Sequence, residues 1–136
     1  MREIIKMLTK DEGLRLKAYK CPAGKLTIGV GRNIDVDGKG ITEDEANYLL
    51  KNDILECKDD LKNIFPTFDS FPQPAKYALI NMRFNLGPAR FRGFKNMILA
   101  IKKLDWKQAR IECLDSKAAR ELPTRYGQIA NMLYKK

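Results

Sequence analysis

The stretch of residues 11–33 constrains the fold most, because its hydrophobic pattern changes there from a helical to an alternating period. Apolar side chains recur at helical spacing before it, which predicts an amphipathic helix over residues 3–11. Gly13 occupies the position of a C-terminal cap, so Glu12 falls at the end of this helix. Apolar and polar residues then alternate over residues 14–30, on both sides of a turn, which predicts a β-hairpin.

The turn of this hairpin allows its register to be predicted. Residues 22–24 contain a proline, which presets φ, and a glycine, which accepts positive φ. A three-residue loop at this point pairs Cys21 with Lys25 and Tyr19 with Thr27. Because successive side chains of a strand point to opposite faces, Cys21 and Thr27 are then expected on one face of the sheet.

The end of the hairpin and the loop after it are rich in glycine and acidic residues. Gly29 and Gly31 leave the strand without bulk, which suits a strand that a ligand lies against. Residues 33–41 are predicted to form a loop or a third short strand. The acidic residues here resemble a calcium loop only superficially, since Gly40 stands where an apolar residue belongs and Asp44 replaces the closing glutamate. An acidic turn is the better interpretation.

The rest of the chain has helical periodicity, interrupted by prolines and glycines. A capping box at residues 42–45 predicts the start of a long linking helix. We therefore predict one α+β domain over residues 1–136, with a small antiparallel sheet lobe, a mainly helical lobe and a long helix joining them. Its predicted parts are a hairpin and sheet region at 14–41, the linking helix at 42–65 and a helical lobe at 74–136. That lobe has predicted helices at 74–86, at 94–104, after an Asp105 cap and after Pro123. The first of these is apolar nearly all round and is therefore predicted to be buried. The helix at 3–11 is predicted to pack on this lobe.

Composition narrows the possible chemistry. The chain has no histidine, which excludes Ser-His and Cys-His catalysis and histidine metal ligands. Its three cysteines, Cys21, Cys57 and Cys113, lack CxxC spacing, which argues against a disulfide framework and a zinc site. The net charge of +9 favours an anionic partner: a nucleic acid, an anionic membrane surface or an acidic polymer such as a cell wall. Because the basic residues are spread along the chain, solvated helix faces account for most of them.

Targeting signals are also absent from the sequence pattern. No window of 18 apolar residues predicts a transmembrane helix. The first residues lack the long apolar run and small-residue cleavage site of a secretory signal. We therefore expect the protein to be made in the cytoplasm.

The position of Glu12 is unusual for a purely structural acid. A helix C-terminus carries partial negative charge, which disfavours a second negative charge there. This placement favours the protonated form that a general acid requires. The alternative is a solvent-exposed glutamate beside Asp11.

Four motifs, in order, resemble those of the phage-type lysozymes, glycoside hydrolase family 24. They are EGLRLKAY at residues 12–19, TIGVG at 27–31, ITEDEA at 41–46 and ALINMRFNLG at 78–87. The similarity extends to about Arg125. The resemblance implies a two-lobed α+β muramidase that hydrolyses the β-1,4 bond between N-acetylmuramic acid and N-acetylglucosamine in peptidoglycan. The usual role of the family is the release of phage progeny by host cell lysis.

The resemblance implies a catalytic triad of Glu12, Cys21 and Thr27. The family has a glutamate, an aspartate nine positions on and a threonine six further; the middle residue here is a cysteine, which is known at this position among members. Glu12 is expected to act as general acid, Cys21 to take the second catalytic position and Thr27 to orient water. Lys20 and Lys25 would favour a thiolate if their ammonium groups approach Cys21. The plainer interpretation of Cys21 is a small, half-buried turn residue, and that of Thr27 is a β-branched residue favoured in strands.

Further residues match the family around this triad. Asp11 matches an acid before the catalytic glutamate, and Arg125 matches an arginine that reaches back to the acidic pair. Asn33 and Phe84 match substrate-binding positions, although Phe84 is equally well interpreted as core. Two other cleft positions, small and polar in the family, are occupied here by Met97 and Glu112.

These observations lead to one functional hypothesis and several alternatives. We expect a monomeric muramidase that needs no metal or cofactor, binds bacterial peptidoglycan but no nucleic acid, and does not insert stably into membranes. It would be made in the host cytoplasm and reach the periplasm or cell wall through a holin or membrane damage. The alternatives are a catalytically inactive peptidoglycan-binding protein, a lytic transglycosylase and a basic nucleic-acid-binding protein.

Overall fold

A computed structural model describes residues 1–135 of the chain. The chain divides into two compact units, Met1–Leu49 and a second that begins at Leu50. The chain combines helices with a three-stranded antiparallel sheet, which confirms the predicted α+β class. Among residues 1–135, no helix combines the length and the apolar composition that crossing a bilayer requires.

The first unit contains one helix, the sheet and the start of a second helix. The strands lie in the order β1-β2-β3. Helix α1 ends where the sequence predicted, with the Gly13 amide donating to the Thr9 carbonyl at 2.8 Å. The elements are α1 (Arg2–Glu12), β1 (Arg15–Lys20), β2 (Leu26–Gly29), β3 (Arg32–Asn33) and the beginning of α2 (Glu43–Ile64).

The predicted hairpin register is confirmed. Tyr19 pairs with Thr27, and the Cys21 amide donates to the Lys25 carbonyl at 2.9 Å across the turn. Farther from the turn the pairing shifts, because a bulge lies between Arg15 and Tyr19. The alternating pattern did not predict this irregularity, since one extra residue in a strand leaves the local composition unchanged.

The acidic loop after β3 is held to the hairpin by its own carboxylates. Asp35 accepts hydrogen bonds from the amides of Leu26 and Val36, at 2.9 and 2.8 Å. These amides lower the pKa of Asp35, the Leu26 amide contributing most. The Lys25 ammonium lies 2.6 Å from Asp37. The loop is therefore an acidic turn, as predicted.

The capping box at the start of α2 forms as predicted and extends to β3. Glu45 accepts from the Thr42 amide at 2.9 Å, and its own amide donates to the Thr42 hydroxyl at 3.1 Å. Arg32 donates to the same glutamate at 2.8 Å and to the Gly40 carbonyl at 3.1 Å. The Thr42 amide, followed by Arg32, lowers the pKa of Glu45 to about 2.

The second unit is helical. Gly87, with φ of 81°, interrupts α3 where the sequence predicted a stop, and Asp105 caps α5 by accepting from the Gln108 amide at 3.0 Å. The sequence did not predict α6, which Ser116 caps. The elements are the remainder of α2, a short 3₁₀ helix (Phe68–Ser70), α3 (Gln73–Arg92), α4 (Lys95–Lys102), α5 (Trp106–Leu114), α6 (Lys117–Glu121) and α7 (Pro123–Leu133).

The core of this unit differs from the predicted one in two ways. The proline-rich segment after α2 was predicted only to break the helix, yet it contributes three buried phenylalanines, at positions 65, 68 and 71. Phe71 packs edge-to-face on Trp106, with ring centroids 5.0 Å apart. Helix α3 is buried along one side only, because Tyr77 and Phe84 are exposed. The predicted burial of this helix is therefore confirmed along that side alone.

Candidate functional site

Glu12 stands at the C-terminus of α1, where Gly13 ends the helix. Its side chain lies against the backbone of Gly31, in the turn after β2. A Cβ atom added at Gly31 would lie 3.0 Å from Glu12 Oε2 and 3.3 Å from its Cδ. The space that the sequence assigned to a ligand at Gly31 is therefore occupied, on this side, by the predicted general acid.

Cys21 is partly buried at the edge of the hairpin turn. A hydrogen bond from the Lys25 backbone lowers the pKa of its thiol, and the Ala23 backbone and the Thr27 hydroxyl add to this effect. The predicted cause was the ammonium groups of Lys20 and Lys25. The ammonium of Lys25 instead pairs with Asp37. Main-chain dipoles, rather than a lysine charge, thus favour the thiolate.

Thr27 lies on the same face of the hairpin as Cys21. It is buried, with 3% of its surface exposed, and its hydroxyl donates to the Lys25 carbonyl at 2.9 Å. The hydroxyl carries a single proton, so it donates either to this carbonyl or to the Cys21 sulfur at any one time. In both arrangements its oxygen keeps lone pairs that accept a hydrogen bond.

The three predicted triad residues therefore gather around strand β2. Cys21 and Thr27 share one face of the hairpin, as the register predicted, and each of them is less exposed than its two neighbours in the chain. Glu12 meets the turn at the end of the same strand.

Asn33 has a structural role in addition to its predicted role in substrate binding. It pairs with Thr27 across the sheet, and its side-chain oxygen accepts from the Asp35 amide at 2.9 Å. This hydrogen bond starts the acidic turn. Contact of Asn33 with sugar stays a prediction.

Phe84 is not a core residue. It is 47% exposed on α3, and it lines a pocket of about 210 Å³ together with Asp53, Glu56, Cys57 and Arg83. Exposure of a large aromatic ring in a polar pocket is compatible with the predicted sugar contact. The alternative interpretation of Phe84 as plain core is wrong.

Beside Phe84, sequence reasoning missed a buried cation. Arg83 donates to Asp60 at 2.7 Å, and Arg92 binds the same carboxylate. The hydrogen bonds from Arg92 and Arg83 lower the pKa of Asp60 to about 2. The available signal was an arginine within an otherwise apolar helix, because such a charge is buried only when a partner pairs with it.

The two unusual cleft positions lie in one cavity of the second unit. Met97 and Glu112 both line a pocket of about 580 Å³. Arg90, Lys95 and Lys117 add positive charge to its wall. The wall of this pocket thus includes a buried methionine and a glutamate, and their correspondence to cleft positions of the family stays a prediction.

Arg125 binds within the second unit. Its Nε donates to the Asn81 side chain at 2.9 Å. Asn81 belongs to the ALINMRFNLG motif of α3, so this contact links α7 to α3. The link of Arg125 to the acidic pair of Asp11 and Glu12 stays a prediction.

Comparison with known proteins identifies the family of this chain. The sequence profile described as phage lysozyme matches residues 9–125. The chain is 30% identical to the pre-baseplate central spike protein of Enterobacteria phage T4, over 76% of this chain but only 22% of that protein. It is 27% identical to probable T4-type lysozyme 1 of Dictyostelium discoideum, over 93% of this chain and 91% of the relative. It is 35% identical to the endolysin of Salmonella phage P22, over 65% of this chain and 64% of the relative.

These matches differ in how much of each relative they cover. The chain spans about a fifth of the spike protein's length and nine-tenths of the Dictyostelium protein's length. The profile, however, covers most of this chain and includes all the predicted triad positions. The chain therefore belongs to the phage lysozyme family, a family of glycoside hydrolases.

Proposed function

We propose that this protein is a muramidase that hydrolyses the β-1,4 bond between N-acetylmuramic acid and N-acetylglucosamine in bacterial peptidoglycan. One observation carries the proposal: Cys21 and Thr27 share a face of the hairpin, and the Glu12 carboxyl lies against the turn at the end of β2. A glycosidase needs a proton donor and a second group arranged around one bond. The names of the Dictyostelium and phage P22 relatives support the same assignment.

Each residue of the triad has a separate task in this reaction. Glu12 in its protonated form gives its proton to the glycosidic oxygen as the bond breaks. Cys21 takes the place of the second carboxylate, and its lowered pKa supports a negatively charged sulfur there. Thr27 orients water through its hydroxyl, which the Lys25 carbonyl holds in place. Asn33 and Phe84 bind sugar.

The first experiment follows the loss of turbidity of purified cell walls. Glu12→Gln keeps the shape of the side chain but carries no acidic proton, so it should lower the rate about 10²- to 10⁴-fold. Glu43→Gln is the matched control, since Glu43 is an exposed acid in the first turn of α2. A wild-type protein that clears no wall, or a Glu12→Gln variant as fast as Glu43→Gln, would contradict the proposal.

A Cys21 series tests the second position. Cys21→Asp restores a carboxylate and should remain active, whereas Cys21→Ala and Cys21→Ser should lose activity because neither supplies a negative charge at neutral pH. Full activity of Cys21→Ala would remove Cys21 from the mechanism. Mass spectrometry of the released fragments should find reducing ends; anhydro-sugar ends would identify a lytic transglycosylase instead.

The proposed setting is host cell lysis at the end of a phage infection. The relative from phage P22 is an endolysin by name, and the net charge of +9 favours accumulation on an anionic cell envelope. The protein would reach the wall through a holin or membrane damage. Bacteria that express it should lyse rapidly when chloroform permeabilises the membrane, and bacteria that express Glu12→Gln should not. Equal lysis by both would contradict this setting.

A further inference from the structure

Gly31 differs from the other glycines of the first unit. Its φ of +67° lies in the left-handed region, and a Cβ atom added there would stand 3.0, 3.3 and 3.4 Å from Oε2, Cδ and Cγ of Glu12. The other positive-φ glycines would meet no atom within 4 Å if a Cβ were added. They are Gly13, Gly24, Gly29 and Gly40. Gly31 alone among these five therefore combines the special backbone angle with close approach of another side chain.

The atoms that approach Gly31 belong to the end of a flexible side chain. A glutamate has three rotatable bonds, so a new methyl group at Gly31 would move the Glu12 carboxyl before it moved any backbone. The cost in stability would come from the left-handed backbone angle, and it would be shared by any glycine of similar φ. The cost in carboxyl position would be specific to Gly31.

We propose that Gly31 is a positioning residue for the general acid. Its bare backbone forms the surface against which the Glu12 carboxyl packs, and so sets the direction in which the proton is presented to the glycosidic oxygen. This inference rests on the proposed role of Glu12 in catalysis. Displacement of a reacting group by about 1 Å is enough to lower a rate by about a hundredfold.

Gly40 provides a matched control. Its φ of +61° is close to that of Gly31, it belongs to the same unit, and an added Cβ would touch nothing within 4 Å. Gly31→Ala and Gly40→Ala should therefore lower the urea midpoint of unfolding to a similar extent. Because the Glu12 carboxyl would have to move by a few tenths of an ångström, Gly31→Ala should in addition lower kcat severalfold, up to about tenfold, with KM nearly unchanged. Gly40→Ala should keep the wild-type kcat.

Two further measurements separate positioning from general damage. Gly31→Ala should have no added effect on the residual rate of Glu12→Gln, because the group that it displaces is already inactive. The ¹³C chemical shift of the Glu12 carboxyl should change in Gly31→Ala and stay unchanged in Gly40→Ala. This second readout requires no activity.

The outcomes distinguish this inference from the proposed function. Loss of activity in Glu12→Gln, together with equal kcat and equal Glu12 chemical shifts in Gly31→Ala and Gly40→Ala, would overturn the role of Gly31 alone. A fully active Glu12→Gln would overturn the proposed function. A Glu12 signal that changes in Gly31→Ala, together with a kcat that falls, supports the inference.

Discussion

Each of the two units of this protein is stabilised internally by a different kind of interaction. Of residues 1–49, all of which the structure describes, Thr27 alone is buried. In the unit that begins at Leu50, buried apolar side chains from the helices form one continuous cluster. The predicted triad lies in the unit with the single buried residue. The proposed chemistry is thus supported by hydrogen bonds and backbone shape rather than by an apolar core.

This difference predicts where stability is located. A buried large aliphatic side chain contributes about 2–5 kcal/mol when truncation leaves a cavity, whereas a typical hydrogen bond contributes about 1 kcal/mol net. The polar contacts that hold the first unit include the Asp35 bonds to Leu26 and Val36 and the bridge from Arg32 to Glu45. The first unit should therefore tolerate substitutions that the second does not.

Two leucine truncations test this difference most directly and have the largest expected effect. Leu61 is fully buried in the second unit and Leu16 is 82% exposed on β1. Leu61→Ala should lower the free energy of unfolding by about 2–5 kcal/mol, because it leaves a cavity in a packed cluster. Leu16→Ala should change it by less than about 0.5 kcal/mol. Urea denaturation measures both, and equal losses would refute the comparison.

Asp60, a partly buried carboxylate of the second unit, gives the next largest effect. Asp60 has a side chain that is 16% exposed between Arg83 and Arg92, and these partners lower its pKa from 3.8 to about 2. A lowered carboxyl pKa contributes stability above the pKa of the unfolded state, and that stability is lost as pH falls through the folded value. The free energy of unfolding should therefore decrease by about 2 kcal/mol between about pH 4 and pH 2 from this group.

The matching variants isolate the contribution of Asp60. Asp60→Asn should lower stability at pH 7 and reduce the pH dependence of unfolding below pH 4, because the titrating group is gone. Asp69→Asn is the control, since Asp69 is exposed and its oxygen lies 3.5 Å from Lys62. An unchanged acid unfolding profile in Asp60→Asn would mean that the two arginines do not stabilise the folded carboxylate.

The sequence predicted those features that depend on local period and turn chemistry. The hairpin register followed from the three-residue turn, because side-chain parity then pairs Tyr19 with Thr27. The start of α2 followed from the Thr42 capping box, and the end of α1 followed from Gly13. Each of these signals acts over a few residues.

Features that depend on contacts between distant segments were missed. The approach of Glu12 to Gly31 joins a helix end to a turn 19 positions later, and no periodicity encodes it. The Arg83 interaction with Asp60 spans 23 positions, and the contact of the buried Phe71 with Trp106 spans 35. The candidate acid was therefore predictable from its helix end, but the surface that positions it was not.

Substitutions of Thr27 test the same comparison between the two units within the first unit, and their expected effect on stability is the smallest. Thr27→Val keeps the side-chain shape but removes the hydroxyl that donates to the Lys25 carbonyl, so stability should fall by about 1 kcal/mol. Thr27→Ser keeps the hydroxyl and should retain more wall-clearing activity than Thr27→Val, which loses the group that orients water. Urea denaturation and turbidity assays give the two readouts. A Thr27→Val loss as large as that of Leu61→Ala would mean that the first unit has a packed centre of its own, and equal activity of the two Thr27 variants would remove the hydroxyl from the mechanism.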